Sequence, residues 1–257
     1  EEKIKASILI EGDFVLWQEH QDPTLAVADC AIKVSKKSNC RLAIDSQTPF
    51  FTANRLQNAN QNLTIENGEA LIAECRRIKT KAEIALLSQA KAITLHIHQV
   101  VARILKPGID TREVQAFLDS AHKACGMDGP STFNIVLFGQ PTAYPHGVPY
   151  PQNLVEGDMV LIDTGASLYG YNSDITRSYV FGESTPRQKE IWDLEQAAQL
   201  AAFNAAQIGA PCSAPDAAAR KVIEQAGLGP DYQVPGLPHR TGHGVGLDVH
   251  EHPYIVK

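Results

Sequence analysis

Two aspartates in one predicted β-hairpin constrain this chain more than any other feature of its sequence. The segment from Met159 to Phe181 has two arms rich in β-branched and aromatic residues, joined by a connection that contains glycine. This pattern predicts strand, tight turn, strand. If the arms pair about the midpoint of Leu168 and Tyr169, Asp163 falls directly opposite Asp174. Because facing carboxylates repel each other, the pair indicates either a bound cation or a shared proton.

A glycine-rich run near the end of the sequence contains His239, His243, His250 and His252. Imidazole is a common nitrogen ligand of divalent metals and carries protons near neutral pH. The intervening glycines let the backbone approach a ligand closely. A further histidine, His146, lies between proline and glycine in a predicted loop, where reactive side chains are commonly presented. The sequence therefore supplies carboxylate and imidazole donors for a metal site.

Length and composition indicate a globular protein. The chain has 257 residues, of which 44% are apolar and 20% charged, so one large domain or two smaller ones can form. The formal net charge of −6, with both signs interspersed, argues against a nucleic-acid partner, and no apolar stretch is long enough to span a bilayer. The five cysteines are scattered, which predicts free thiols in a reducing compartment and a cytoplasmic location.

The pattern of predicted elements changes near residue 76. Before that position, polar connections separate strand-like runs such as Ala6–Glu11, Phe14–Trp17 and Arg41–Asp45, and a helical run extends from Asp22 to Lys37. After it, long helical patterns begin. We therefore predict a first domain in residues 1–76 and a second in residues 77–257.

The second domain repeats one arrangement loosely: helix, turn, capped helix, glycine. The first copy has a long helix from Ile84 to Ile104 and a shorter one that ends near Cys125. The second copy has a helix over residues 186–207 and another that ends at Gly227. The segment Ser213–Asp216 is interpreted as the start of this last helix. The side chain of Asp216 is predicted to bond back to the backbone at the N-terminus of that helix. Two related halves that face each other would form a cleft for a shared metal centre.

At four blocks the sequence resembles the metallopeptidases of the pita-bread fold, especially the Xaa-Pro dipeptidase (prolidase) and aminopeptidase P branch. The blocks are Pro145–Pro149, Gly157–Gly165, Gly170–Arg177 and Gly242–Glu251. Ordered blocks are more specific than a single glycine motif. The resemblance implies an α+β pita-bread (creatinase/aminopeptidase-like) catalytic domain with two pseudo-related halves in residues 77–257. It also implies that residues 1–76 are part of a small creatinase-like α/β N-terminal domain.

The resemblance further implies a site that holds two divalent metal ions, with manganese as the first choice and cobalt or zinc as alternatives. The metal ligands would be Asp163, Asp174 and His243. The histidines that bind substrate and move or stabilise charge would be His146, His239 and His250. Each of these residues also has a plainer interpretation as a turn, core or loop-packing residue, and that interpretation is strongest for His239.

The implied reaction is hydrolysis of the peptide bond that precedes proline, by a water activated between the two metal ions. The implied partner is a short proline-containing peptide, and the oligomeric states considered include a homodimer. One alternative is an enzyme like methionine aminopeptidase, which shares the blocks Gly242–Gly246 and His250–Glu251. Another is a non-catalytic pita-bread binding module, although such relatives usually lose the aspartates and histidines that are retained here.

The family's two glutamate ligands lie on strands later than any in this sequence, which stops at Lys257. We therefore expect residues 1–257 to be cut at both ends, with a catalytic domain that lacks its C-terminal strands. On this expectation the full-length protein is an enzyme, and this chain alone is inactive or nearly so.

Overall fold

The computed structural model describes residues 12–257 and contains two compact units, which divide between Cys75 and Arg76. The predicted strand Ala6–Glu11 lies outside the described residues. No helix within residues 12–257 is both long and apolar enough to cross a membrane. The five cysteines of the chain are unpaired thiols.

The first unit is built on two parallel strands and the helices that connect them. Its elements are α1 (Pro23–Ser35), β1 (Cys40–Ile44), α2 (Phe50–Ala59), β2 (Leu63–Asn67) and the start of α3 (Glu69–Arg77). Parallel strands require a crossover connection, which α2 provides here. Ala28, Cys40 and Leu63 form its buried core. The predicted helix and the predicted strand at Arg41 are therefore confirmed.

The predicted strand Phe14–Trp17 is wrong. This run has no regular secondary structure, and its four side chains are between 41% and 61% exposed. A run of large apolar residues favours a strand only where a pleated surface is at least half-buried. Because these side chains are not buried, residue type alone was not enough to form the strand.

The second unit contains four long α-helices and three small groups of antiparallel strands. The helices are α4 (Lys81–Val101), α5 (Thr111–Ala124), α6 (Pro186–Ala205) and α7 (Ser213–Gln225). Capping boxes open three of them, with the caps at Thr80, Asp110 and Thr185. In each box the cap side chain and the third helical residue satisfy backbone N–H groups reciprocally. The four predicted helices of this unit are confirmed.

The predicted role of Asp216 at the start of α7 is wrong. The residue at the N-cap is Cys212, and it makes no side-chain capping bond. Asp216 is fully buried, accepts a hydrogen bond from Arg220 Nε at 2.9 Å, and accepts another from Thr241 Oγ1 at 2.7 Å. A buried carboxylate requires such partners, and a cap exposed at a helix end would not supply them.

The central sheet of the second unit has three antiparallel strands in the order β3–β4–β7. They are β3 (Phe133–Phe138), β4 (Met159–Gly165) and β7 (Ile175–Val180). Val160 and Ile162 of β4 belong to a buried core shared with Ile97 of α4 and Leu118 of α5. Since successive strand residues point to opposite faces, Asp163 projects from the face of the sheet that is turned away from these helices.

The hairpin between β4 and β7 has a different register from the predicted one. Asp163 pairs with Thr176, so the predicted direct opposition of Asp163 and Asp174 is wrong. Tyr169 and Gly170 both have positive φ, at 49° and 81°, as a two-residue type I′ turn requires. This turn is centred one residue later than predicted, which moves the pairing by two positions. A shift of two residues keeps both aspartates on the same face, because side chains alternate with a period of two.

The remaining strands are short. Strands β5 (Ser167–Leu168) and β6 (Tyr171–Asn172) continue the hairpin, and β8 (Gly242–Gly244) pairs with β9 (Glu251–Ile255). The β8–β9 pair is irregular between His243 and Gly244. The loop between these two strands carries His250 at its end.

Candidate metal centre

Asp163 is a partly buried carboxylate with one unpartnered oxygen atom. Burial raises its pKa to about 6, against a lowering effect of the Thr176 hydrogen bond, and the nearby Asp174 raises it further. Its Oδ1 atom is buried and accepts no hydrogen bond from any residue in the range 12–257. A buried acceptor of this kind has room to bind a cation or a water molecule.

Asp174 is held in place by its preceding residue. Ser173 is buried, its Oγ accepts a hydrogen bond from Ala166 N at 3.0 Å, and it lies 2.7 Å from Thr94 Oγ1. A Cβ atom at Gly165 would lie 1.8 Å from the Ser173 carbonyl oxygen, so only glycine permits this close approach of the two strands. These contacts fix the backbone immediately before Asp174.

His243 presents one ring nitrogen to Asp174. Its Nδ1 lies 2.9 Å from Gly244 O, and because a carbonyl only accepts, Nδ1 carries the hydrogen. In the neutral ring Nε2 is then an acceptor, and it lies 3.3 Å from Asp174 Oδ2. Two acceptors so close need a cation or a proton between them. The hydrogen bond with Asp174 accordingly raises the pKa of His243 above its usual value.

His250 completes a group of three donors. Its ring centroid lies 4.1 Å from that of His243, and one ligand atom each from Asp174, His243 and His250 lie within 4.8 Å of one another. Desolvation lowers the pKa of His250, and the neighbouring His243 lowers it further. The sequence-based assignment placed His250 in catalysis and Asp163 among the ligands. The structure places His250 within the donor group and Asp163 beside it, and both assignments stay predictions.

His146 and His239 form a second pair of imidazoles. Their ring centroids are 5.3 Å apart in a T-shaped arrangement, and His146 is exposed. His239 Nδ1 lies 3.0 Å from Arg240 O, which can only accept, so Nδ1 donates.

Arg220 fixes the loop that carries His239, and the sequence analysis missed it. Its guanidinium is buried and donates to the carbonyl oxygens of Asp231, Leu237 and His239 at 2.7 to 2.8 Å. Its ion pair with Asp216 compensates the charge. The spacing of an acid and an arginine four residues apart on a predicted helix was the available signal, but it does not reveal which loop the arginine binds.

Asn172 is a second residue that the sequence analysis missed. It is buried, its backbone N–H donates to Gly246 O at 2.8 Å, and its side-chain amide donates to Leu247 O at 2.9 Å. Asn172 thereby links the hairpin of Asp174 to the loop between His243 and His250. It lies within one of the four blocks of the resemblance, where its proximity to Asp174 was the only signal.

The donor set fits a divalent cation. Carboxylate oxygens and imidazole nitrogens suit manganese, cobalt and zinc. The hydrogen bond from His243 Nδ1 to a backbone carbonyl is the outer contact that metal-binding histidines usually make, because it fixes the tautomer. The unpartnered Asp163 Oδ1 supplies a further acceptor at the same face of the sheet.

Comparison with known proteins supports this fold. Residues 85–257 match the metallopeptidase family M24. The chain is 37% identical to the Xaa-Pro dipeptidase of Pyrococcus furiosus over 185 residues, which cover 72% of this chain and 52% of that protein. A crystal structure of prolidase from Thermococcus sibiricus superposes with a TM-score of 0.85 at 31% identity, covering 99% of this chain and 68% of that one. The X-Pro aminopeptidase from Thermotoga maritima gives 0.78 at 26% identity, covering 93% and 66%.

The fold and the donor set define an α+β protein of the pita-bread class, as the sequence resemblance predicted. The chain belongs to metallopeptidase family M24. It spans about half to two thirds of the length of the curated relatives that it matches.

Proposed function

We propose that the whole protein containing this chain is a metal-dependent peptidase that hydrolyses the bond preceding proline, as an Xaa-Pro dipeptidase or an aminopeptidase P. The observation that carries the proposal is the approach of His243 Nε2 to 3.3 Å from Asp174 Oδ2, with Nδ1 already bonded to a carbonyl. Relatives named Xaa-Pro dipeptidase and prolidase support the choice of substrate.

The metal would be held by Asp163, Asp174 and His243. We propose two divalent ions, with manganese preferred to cobalt or zinc. When bound, such ions lower the pKa of a water and polarise a carbonyl group, which is the chemistry that amide hydrolysis needs near neutral pH. Asp163, with a pKa of about 6, becomes a carboxylate in the same pH range and so becomes a stronger ligand there.

The histidines would handle the substrate and its protons. Because desolvation lowers the pKa of His250, its ring is neutral near pH 7 and carries a single N–H. That N–H would donate a hydrogen bond to the oxygen that becomes negative as the carbonyl is attacked. His146 and His239, whose rings lie in contact, would bind the peptide and deliver a proton to the leaving nitrogen of proline.

A substrate panel tests this proposal. The whole protein, stripped of metal and then given manganese, cobalt or zinc, is assayed on an Xaa-Pro dipeptide, a longer Xaa-Pro peptide and a Met-Ala peptide. We expect hydrolysis of at least one Xaa-Pro substrate with added metal and none of the Met-Ala peptide. Hydrolysis of Met-Ala alone would favour the methionine aminopeptidase alternative, and no hydrolysis of any peptide would favour a binding module.

The remaining parts of the proposal concern partners and location. We propose a short proline-containing peptide as the partner, with no nucleic acid and no membrane, in agreement with the net charge of −6. We also propose a cytoplasmic location, because the cysteines are unpaired. A homodimer stays a prediction, which light scattering on the purified whole protein would test.

A further inference from the structure

The strand pair that carries His243 is too short to be rigid by itself. Strands β8 and β9 have three and five residues, and within residues 12–257 they pair only with each other. An isolated two-stranded hairpin is marginally stable in water. A metal site needs donors fixed in position, and contacts with the segment before α4 help to hold this strand pair in place.

Glu251, which follows His250 directly, provides one such contact. Its side chain is only 8% exposed, its Oε2 lies 3.0 Å from Arg76 Nε, and its Oε1 lies 3.7 Å from Lys79 Nζ. A buried carboxylate stays charged only where cations compensate it. A Cβ atom at Gly246 would lie 1.8 Å from Glu251 Oε1, so this glycine leaves the space that the carboxylate occupies.

Arg76 has a second acidic partner in the same loop. Its Nη2 donates to Asp248 Oδ2 at 2.7 Å. Arg76, Lys79, Asp248 and Glu251 therefore form a cluster of two cations and two anions with no net charge, called here the ion cluster. It joins the segment before α4 to Asp248 within the loop that leads from β8 to His250, and to Glu251 directly after that loop.

The same segment also holds the strand that leads to Asp174. Glu83, in the first turn of α4, accepts a hydrogen bond from the Tyr171 hydroxyl at 2.8 Å. Tyr171 begins β6, and its neighbour Asn172 donates to Gly246 O and Leu247 O. The segment from Arg76 to Glu83 thus contacts both of the chain regions from which the donor group is assembled.

We propose that Arg76, Lys79 and Glu83 are positioning residues, which fix the distance between Asp174 and the pair His243 and His250. None of the three belongs to the donor group. The ion cluster fixes the loop of His250, and the hydrogen bond from Tyr171 to Glu83 fixes the strand before Asp174. This inference rests on the proposed function, because it assigns these residues to the assembly of that metal site.

A double-mutant cycle on the ion cluster tests the proposal in the whole protein. Arg76→Met, Glu251→Gln and the double variant are stripped of metal, and their affinity for cobalt(II) is measured by calorimetry. Outer contacts of a metal site typically contribute 10- to 100-fold to affinity, so we expect each single variant to lose about 10- to 100-fold. The double variant should lose less than the sum of the two single losses, since both changes remove the shared contact between Arg76 and Glu251. Arg76→Lys should recover part of the loss.

The matched control is an exposed pair of the same chemistry. Arg187 Nη1 lies 2.8 Å from Glu190 Oε2 at the start of α6, and both side chains are 65% exposed. Arg187→Met and Glu190→Gln should leave the cobalt affinity within about twofold, because exposed ion pairs contribute little. In the ion-cluster variants, kcat for an Xaa-Pro dipeptide should fall while KM stays within about threefold, as expected when alignment and not substrate binding is lost.

If Glu251→Gln does not fold, a second pair of variants, each lacking only one hydroxyl group, tests the same proposal. Tyr171→Phe removes only the hydroxyl that bonds to Glu83, and Tyr169→Phe removes the hydroxyl of a tyrosine that is 77% exposed in the same hairpin. We expect cobalt affinity to fall in Tyr171→Phe and to stay unchanged in Tyr169→Phe.

Unchanged cobalt affinity in folded Glu251→Gln and in Tyr171→Phe would overturn the inference and leave the proposed function standing. Additive losses in the double-mutant cycle would also count against the ion cluster as one unit. If the unsubstituted whole protein binds no cobalt, the proposed function fails, and this inference fails with it.

Discussion

His243 Nε2 lies 3.3 Å from Asp174 Oδ2, and the His243 ring is oriented by its Nδ1 hydrogen bond to Gly244 O at 2.9 Å. The tautomer that this second bond requires makes Nε2 an acceptor, so the ring and the carboxylate present two acceptors to one point. A shared cation resolves that conflict, and a proton on His243 is the alternative. Substitution of Asp174 distinguishes a cation from a proton at this point.

Removing the charge of Asp174 should remove metal binding without unfolding the protein. Asp174→Asn keeps the size of the side chain but replaces one carboxylate oxygen by a donor that cannot bind a cation. We expect the manganese affinity of the whole protein to fall by more than about 100-fold, the upper end of what loss of an outer contact costs. Calorimetric titration with manganese measures this change, and circular dichroism checks the fold.

The control for this variant is Asp193→Asn, because Asp193 is half exposed on α6 and pairs only with Lys189 among the described ion pairs. Its manganese affinity should equal that of the unsubstituted protein. Equal affinities in all three proteins would show that a proton, and not a cation, lies between Asp174 and His243.

Gly165→Ala should destabilise the hairpin and weaken the metal site together. The added Cβ would lie 1.8 Å from the Ser173 carbonyl oxygen, so the strand that carries Asp174 must move. Overpacking of this severity costs about 3 kcal/mol or more of unfolding free energy. Urea denaturation measures the loss.

Gly129→Ala is the matched control, because nothing lies within 4 Å of its added Cβ atom and its φ is not positive. It should change the unfolding free energy by less than about 1 kcal/mol. Similar losses in both variants would contradict the close approach at Gly165.

Asp128→Ala should weaken the turn that sets the register of the two aspartates. Asp128 accepts hydrogen bonds from Ser167 Oγ at 2.8 Å, Tyr169 N at 2.9 Å and Gly170 N at 2.8 Å. Because Asp128 is exposed, we expect a modest loss of about 1–2 kcal/mol in urea denaturation. Asp193→Ala, which breaks one exposed ion pair, should lose less than about 0.5 kcal/mol. An Asp128→Ala protein as stable as Asp193→Ala would show that the turn does not depend on this carboxylate.

The buried His122 should contribute a loss of stability on mild acidification. Two groups act in the opposite direction, because burial raises the pKa of Asp163 to about 6 and the hydrogen bond with Asp174 raises the pKa of His243. Desolvation lowers the pKa of His122 below its model-compound value of 6.5, although the hydrogen bond to Leu118 O and the charge of Asp119 oppose this effect. As the pH falls below 6.5, the unfolded chain therefore binds a proton before the folded chain does. The contribution of His122 to the free energy of unfolding is fully present above the pKa of the unfolded chain. It is lost as the pH decreases towards the lower pKa of the folded chain.

Urea denaturation between about pH 7.5 and about pH 5.5 measures this loss. His122→Gln should reduce the slope of stability against pH. A part of the slope should remain, because desolvation also lowers the pKa of the buried His98. His96→Gln, on the exposed side of α4, should keep the slope of the unsubstituted protein. An identical slope in the His122→Gln variant would contradict the prediction.

Features that depend on nearby residues were predictable from the sequence. The start of α6 at Pro186 was predicted correctly, and there Thr185 and Gln188 form a local capping box. The hairpin was also correct, but its register was not. The backbone N–H groups of the observed turn at Tyr169 and Gly170 donate to Asp128, a residue distant in the chain, and no local pattern reveals that contact.

The features that could not be predicted depend on contacts between segments that are distant in the chain. The buried partners of Asp216, the loop contacts of Arg220 and the ion pair of Glu251 each join parts of the chain that no local pattern relates. The donor types of the metal site could be predicted from residue chemistry and the resemblance. The inclusion of His250 in the donor group could not be predicted, because it follows from the tertiary packing of the His250 ring against His243.

The most direct test of the central claim is a manganese titration of the metal-depleted whole protein during hydrolysis of an Xaa-Pro dipeptide, with His243→Ala and His252→Ala assayed alongside. His252 is the matched histidine, since its ring packs against Tyr254 and lies outside the donor group. We predict saturable activation by manganese in the unsubstituted protein and in His252→Ala, and none in folded His243→Ala. Full activity without metal, or equal activation of all three proteins, would contradict the account.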